Sequence, residues 1–222
     1  ENSYRATNIA FAVEWSRFAE EAGVNLFSIV NAIRGRETHA NLMFPGIGVG
    51  GYCLTKDPLL ASWASENFFQ SKTALAMSVN SVSTNDQMPR FAFNRLIGVF
   101  GDIRNKNIAI LGVSYRGDVG DTRFSPVKPM LEMVRSKAKN IFIHDPLVSY
   151  WEELDLRVES NVTKLANFDS DIIIICCGHS FYKSERFLRM LVALQSTKIF
   201  DSVGLYNECQ IRQLRSKHMV SV

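Results

Sequence analysis

Near residue 107 the spacing of apolar residues changes, and this change limits the possible folds more than any other feature of the chain. From the first residues, Tyr4, Asn8, Phe11, Trp15, Phe18 and Ala22 recur at helical spacing, with Gly23 as a stop. Leu26–Ile33 reads as a second short helix, a loop from Arg34 to Pro58 follows, and Leu59–Phe100 reads as largely helical. Within that last stretch Pro89 marks either a kink or a fresh start after Asn85 and Asp86. Beyond it, Ile108–Val113, Ile141–His144, Ile172–Cys176 and Ile199–Phe200 are short apolar runs separated by helical stretches such as Pro126–Lys137 and Glu185–Leu194. Strands alternating with helices imply a parallel α/β sheet, to which Met219–Val222 can add a last strand. The expected architecture is an all-helical domain over 1–100 and an α/β domain over 101–222, with the polar segment Gly101–Lys106 as the boundary.

The loop of the helical half carries chemistry-bearing residues: Phe44-Pro-Gly-Ile-Gly-Val-Gly-Gly-Tyr-Cys53-Leu-Thr-Lys-Asp57-Pro58. Gly46, Gly48, Gly50 and Gly51 allow positive φ and close backbone approach to a ligand, and consecutive exposed N–H groups cradle anions. Asp57-Pro58 followed by the apolar run Leu59–Trp63 reads as a helix N-terminus, which together with Lys56 would favour a thiolate at Cys53. The alternative is an ordinary surface turn with Cys53 as a small buried residue. In the α/β half, Gly112-Val-Ser-Tyr-Arg-Gly117 follows the first strand, and Ser125-Pro126 opens a helix. Doubly wound sheets bind ligands at such a loop. It lacks Gly-x-Gly-x-x-Gly, which favours a mononucleotide over a dinucleotide, with Arg116 and Arg123 facing phosphates and Ser125 capping the helix. The alternative leaves both arginines solvated, with Asp118 and Asp121 as incidental partners.

Composition excludes some function classes. A formal charge of +3 without a basic stripe gives no reason to expect nucleic acid, and there is no apolar run of transmembrane length and no signal peptide, so no membrane role is expected. Cysteines at 53, 176, 177 and 209 form neither a metal-ligand spacing nor a disulfide framework, and a reducing cytoplasm is the expected setting. Cys176 and Cys177 read as core. His144, His179 and His218 read as strand-end or surface residues, and no metal is expected.

The Pro45–Asp57 string, with its Gly-Gly-x-Cys-Leu-x-Lys-Asp core at 50–57, resembles the UDP-glucose/GDP-mannose dehydrogenase family. The resemblance extends to Glu1-Asn2-Ser-Tyr-Arg-Ala-Thr-Asn-Ile-Ala10 and to Ile110-Leu-Gly-Val-Ser-Tyr-Arg-Gly-Asp-Val-Gly-Asp-Thr-Arg-Phe-Ser-Pro126. It implies an N-terminal Rossmann domain for NAD, a central helical dimerisation domain and a C-terminal Rossmann-like domain for the nucleotide of a UDP-sugar. This chain resembles only the last two, so the NAD domain is expected to be missing and the isolated piece inactive. The implied reaction oxidises the sugar C6 alcohol to a uronic acid for polysaccharide biosynthesis, consuming two NAD⁺.

The resemblance also implies roles for single residues. Cys53 is the nucleophile that forms a thiohemiacetal and then a thioester. Asp57 positions or activates water, and Asn2 binds oxygen at the reacting carbon. A partner lysine lies before residue 1. Gly46, Gly48, Gly50, Gly51 and Tyr52 hold sugar and phosphates, Tyr115 and Arg116 touch substrate, and Arg123 reaches NAD. Lys56 assists the cofactor or the oxyanion, or is simply solvated. The family's basic residue after a late Phe-Asp is absent from Phe200-Asp201-Ser-Val-Gly204, and Arg34, Arg36 and His39 are the only candidates for an arginine given across a dimer. The Pro45–Gly51 string looks more like the UDP-N-acetylhexosamine branch than the UDP-glucose branch. A homodimer is expected through Leu59–Phe100. Two rival functions are a non-catalytic UDP-sugar-binding and dimerisation module, and a cysteine hydrolase pairing Cys53 with a histidine.

Overall fold

The computed structural model describes residues 1–69, 75–194, 196–214 and 220–221. They divide into two compact units, Glu1–Met88 and Pro89–Val222.

The first unit is helical. Helix α1 (Asn2–Glu21) closes where Gly23, at φ +70°, and Val24 donate to the carbonyls of Glu20 and Ala19 at 3.0 and 2.7 Å. Asn25 then caps α2 (Leu26–Arg34) by accepting from Ser28 N at 3.4 Å. A 3₁₀ turn at Glu37–His39 and the glycine-rich loop lead to α3 (Tyr52–Asn67), followed by α4 (Ala76–Asp86). Small residues let α1 and α4 pack closely: Ala6 and Ala10 face Ser81, Val82 and Asn85, and Asn85 Nδ2 donates to the Ala6 carbonyl at 3.3 Å. The aromatic stripe read in α1 lies on its other face, where Tyr4, Phe11, Trp15 and Phe18 are 46–60% exposed.

Leu59–Phe100 is largely helical, with α3 ending at Asn67, α4 spanning Ala76–Asp86 and α5 spanning Met88–Phe100, and of the two readings of Pro89 the fresh start is the one found. Pro89, the second residue of α5, lacks an N–H that a helix start would leave free anyway. One expectation is corrected here: α3 begins at Tyr52 rather than at Asp57-Pro58, so Pro58 lies inside the helix. Gly51, at φ 80° and ψ 176°, holds a conformation that essentially only glycine adopts, and it starts the helix six residues before the proline.

In the second unit, α5 precedes β1 (Asn107–Leu111), α6 (Val127–Arg135), β2 (Asn140–His144) and an antiparallel ribbon of β3 (Tyr150–Trp151) with β4 (Leu156–Arg157). Strand β5 (Ile172–Ile175), helices α7 (Ser180–Lys183) and α8 (Glu185–Ala193), strand β6 (Lys198–Asp201), helix α9 (Glu208–Gln213) and strand β7 (Val220–Ser221) complete it. The five strands of the main sheet are parallel in the order β2-β1-β5-β6-β7. Burial on both faces explains why β1 and β5 are unbroken apolar runs. Leu111, Ile173, Ile175, Tyr182, Phe187, Leu191 and Ile199 form the core. The order reverses between β1 and β5, which makes the carboxyl ends of these strands the switch point where such sheets place ligands.

The loops leaving β1 and β5 meet at that point almost backbone to backbone. Gly112 is at φ +86°, and a Cβ on it would lie 2.4 Å from the Cys177 Cβ. Gly112→Ala is therefore expected to cost about 3 kcal/mol, from the left-handed backbone and the overlap together. A urea titration should show a lower midpoint, and an unchanged midpoint would refute the packing.

Candidate functional site

The glycine-rich loop is anchored by buried Pro45 and Ile47 and ends at buried Gly51. Of its four glycines only Gly48, at φ 141°, and Gly51 use positive φ; Gly46 and Gly50 do not, and a Cβ on Gly46 would meet nothing within 4 Å. Among the described residues, the N–H groups of Gly46, Gly48, Gly50 and Gly51 make no hydrogen bond within the chain. The first-turn N–H groups of α3 add to them, because a helix start leaves these donors without intrahelical partners.

Cys53 is a free, exposed thiol in that first turn. Lys56 and Asp57 follow at the i+3 and i+4 positions, so the Cys-Leu-Thr-Lys-Asp string puts all three on one helix face. Asp57 ties this face to α1: Asn2 Nδ2 donates to its Oδ2 at 2.6 Å, and Lys56 Nζ to its Oδ1 at 2.7 Å. These two hydrogen bonds, that of Lys56 foremost, hold the Asp57 carboxyl below its ordinary value. The bond to Asp57 likewise raises the Lys56 ammonium, with the Asp57, Cys53 and Tyr52 charges acting in the same direction. Tyr52 is exposed, with Lys56 Nζ 5.4 Å from its ring centroid. Asn2, Cys53, Lys56 and Asp57 thus come together at the start of α3.

In the second unit the β1 loop is held by a residue that the sequence reading did not single out. Asp145 follows β2 and is fully buried. Its Oδ2 accepts from Val113 N at 2.8 Å, from Ser114 N and Oγ at 3.1 Å each, and from His179 Nε2 at 3.1 Å. Its Oδ1 accepts from Leu147 N and Val148 N at 2.8 and 3.1 Å. Burial alone would raise this carboxyl, yet the His179 bond and charge and the backbone donors leave it below its ordinary value. The other nitrogen of His179, Nδ1, accepts from Asp118 N at 3.0 Å, and Asp118 Oδ1 accepts from Ser180 N and Oγ at 2.8 and 2.9 Å.

On this platform Tyr115 is half-buried and donates through its N–H to the Asp121 carbonyl at 2.9 Å. Arg116 is exposed and forms no ion pair among the described residues. Arg123 is exposed and pairs with Asp121 Oδ2 at 2.6 Å, so Asp121 takes the partner role expected of it while Asp118 is engaged with Ser180 instead. Ser125 Oγ accepts from Val127 N at 3.2 Å at the start of α6.

Histidine placement needs correction. His179 is neither a surface nor a strand-end residue but lies buried between the two loops, and His144 ends β2 fully buried, which pushes its ring below its ordinary value. His218 lies outside the described residues. Cys176 and Cys177 are core, and burial pushes Cys176 up to about 12. Asp201 is buried and accepts from Val203, Leu205 and Tyr206 N, so it shapes its own turn. Among the described residues no three His, Cys, Asp or Glu side chains stand together as metal ligands, and no helix is long and apolar enough to cross a membrane.

A family model described as the UDP-glucose/GDP-mannose dehydrogenase family, central domain, matches residues 1–85, and one described as that family's UDP binding domain matches residues 109–208. The UDP-N-acetyl-D-mannosamine dehydrogenase of Pyrococcus horikoshii is 33% identical over 94% of this chain and 47% of its own length. The chain therefore spans about half the length of the curated relatives it matches. Among solved structures, the UDP-D-ManNAc dehydrogenase of Pyrococcus horikoshii superposes with a TM-score of 0.79 at 28% identity, covering 94% of this chain and 47% of the other. The NDP-N-acetyl-D-galactosaminuronic acid dehydrogenase of Methanosarcina mazei shares the fold, with a TM-score of 0.83 at 20% identity over 100% of this chain and 48% of the other.

Proposed function

Since the chain belongs to the UDP-glucose/GDP-mannose dehydrogenase family, we propose that it carries the catalytic thiol and the nucleotide-binding unit of a dehydrogenase that oxidises C6 of a UDP-sugar to a uronic acid. The observation that carries this reading is the set Asn2, Cys53, Lys56 and Asp57 at the helix start beneath a loop of unpaired N–H groups.

Cys53 adds as thiolate to the C6 aldehyde, and the oxyanion of the adduct meets Asn2 Nδ2 and the Lys56 ammonium. Loss of hydride gives a thioester, which water cleaves to carboxylate and free thiol. Asp57, held at low pKa, is a weak base, so it orients that water and keeps Asn2 and Lys56 in register. In the first unit the loop donors and the first turn of α3 suit an anionic ligand group; in the second unit, taken by itself, Tyr115 and Arg116 at the switch point suit a nucleotide.

When bound, NAD would supply the hydride-accepting chemistry that the two oxidations need. The residues of this chain fit an accessory contact to it and not its main cradle: Arg123 and Lys56 are cations already neutralised by Asp121 and Asp57, and the β1 loop has no Gly-x-Gly-x-x-Gly turn. In this proposal the main NAD cradle belongs to a part of the dehydrogenase outside these residues, and this chain by itself is expected to bind the UDP-sugar without turning it over. The relatives' names favour a UDP-N-acetylhexosamine as substrate; that the uronic acid is used for polysaccharide and that the reaction runs in the cytoplasm are part of the same proposal. A homodimer is favoured by the exposed aromatic face of α1 and the apolar groove of about 300 Å³ beside it, rather than by Leu59–Phe100 as one helix. Among the described residues no histidine is available to Cys53, because His39 bonds to Thr38 while His144 and His179 are fully buried, which disfavours a cysteine hydrolase.

Calorimetric titration with UDP-N-acetylmannosamine, UDP-N-acetylglucosamine, UDP-glucose and UDP tests the reading. Binding of UDP and tighter binding of an N-acetylhexosamine derivative are expected; no heat from any of the four would refute it.

A further inference from the structure

The glycine-rich loop is gripped at its entry by a single peptide unit. The Met43 N–H donates to Asn8 Oδ1 on α1 at 2.8 Å, while the carbonyl of the same peptide, that of Leu42, accepts from Arg34 Nη1 on α2 at 2.8 Å. Asn8 Nδ2 also donates to the Asn41 carbonyl at 3.3 Å, and Asn41 Nδ2 donates to the Tyr4 hydroxyl at 3.0 Å. The flanking side chains are seated as well. Leu42 and Phe44 pack on Ala19, Leu26 and Val30, the Phe44 ring stacks on Phe27 at 6.0 Å and 13°, and the Arg34 guanidinium lies 4.9 Å from the Phe44 centroid. Past this point the support changes in kind, because the loop glycines spend none of their N–H groups on the chain.

We propose that Asn8 and Arg34 are positioning residues that set where the loop's free donors stand relative to Cys53. The link runs through α1. Asn2 bonds to Asp57 and so fixes the face of α3 that bears the thiol, while Asn8, about 9 Å further along the same helix at 1.5 Å per residue, fixes the loop. One rigid rod thereby spaces nucleophile and anion cradle. The polar clamp suits this role better than apolar packing alone would, because its hydrogen bonds fix the orientation of a peptide plane. Arg34 is consumed in this task, which removes it as an arginine offered to a partner subunit.

The proposal rests on the loop being the sugar-phosphate cradle, and two measurements separate it from that reading. Hydrogen exchange on the whole chain, wild type against Asn8→Ala, should show the Met43 amide, which is hydrogen-bonded to Asn8, exchanging tenfold faster or more, with the α1 and α2 amides unchanged. Protection of Cys53 from iodoacetamide by UDP-N-acetylmannosamine should need about tenfold more ligand in Asn8→Ala and return to within threefold of wild type in Asn8→Asp, which keeps the acceptor for Met43. Alkylation of exposed Cys209 serves as the internal control. Unchanged exchange at Met43, or faster exchange that spreads through α1, overturns the clamp. No protection in wild type overturns the nucleotide-sugar reading, while the exchange result still decides on the clamp. If Asn8→Ala does not fold, Arg34→Gln is read in the same way and should loosen the same amide.

Discussion

Asp145→Ala is expected to cost the second unit about 4–5 kcal/mol, enough to leave a domain of ordinary stability largely unfolded. Six donors converge on this buried carboxylate, from the β1 loop, from its own turn and from His179. Truncation leaves them buried without an acceptor, and an orphaned donor costs more than a made hydrogen bond contributes. Asp145→Asn keeps the shape but turns one oxygen into a donor facing other donors, so about half that loss is expected. Urea unfolding followed by near-ultraviolet circular dichroism measures both. A midpoint unchanged in Asp145→Ala would mean that the loops hold without it.

The same group gives a pH signature. Its carboxyl is held below its ordinary value, so its contribution is fully present above about pH 4 and is lost as pH falls through the folded-state value. The stability gap between wild type and Asp145→Asn should therefore be widest above about pH 4 and close below it. Near pH 6 two other groups act in opposite directions. Buried His144 loses its contribution as pH falls from about 6.5, whereas Asp201, raised by burial to about 6, loses its contribution as pH rises through that value. The window below pH 4 is thus the one to measure.

Cys53→Ala in the complete dehydrogenase is expected to lower kcat by at least about a thousandfold, as removal of a covalent nucleophile does, with UDP-sugar affinity changed less than about threefold. The thiol is exposed and tied to nothing that supports the fold, so stability should move by less than about 0.5 kcal/mol. NAD reduction and calorimetry read the two quantities separately. Full activity in Cys53→Ala would remove the thioester route; lost binding would make Cys53 a structural residue. Lys56→Ala should act more mildly, because its charge is shared with Asp57 and half-exposed.

The strands were legible because burial on both faces demands unbroken apolar runs, as Ile172–Ile175 demonstrates. The start of α3 was not, because it depends on Gly51 holding φ 80° and ψ 176°, which the string Gly50-Gly51 permits without dictating, while Asp57-Pro58 offers a stronger but false start signal. The aromatic stripe of α1 marked the helix Asn2–Glu21 correctly but not its buried face. Helical spacing reveals a face but not what covers it, and here alanines and a serine face inward. The Cys53, Lys56 and Asp57 constellation was readable because it is local. The network around Asp145 was not, since four of its six donors lie 31 to 34 residues away, and the only hint was a carboxylate directly after a strand and before Pro146.

Pairing of β1 with β5 joins positions more than sixty residues apart, and the bond between Asp118 N and His179 closes a loop of similar span. Such closures are entropically slow and gain little until all three strands β1, β2 and β5 are docked. The Asp145 knot is therefore expected to form late, and stopped-flow kinetics should show Asp145→Asn accelerating unfolding while the refolding rate stays nearly untouched; a slowed refolding rate would put the knot in the barrier. It acts as a latch on lifetime: what it confers on the nucleotide unit is persistence once formed, rather than speed of formation.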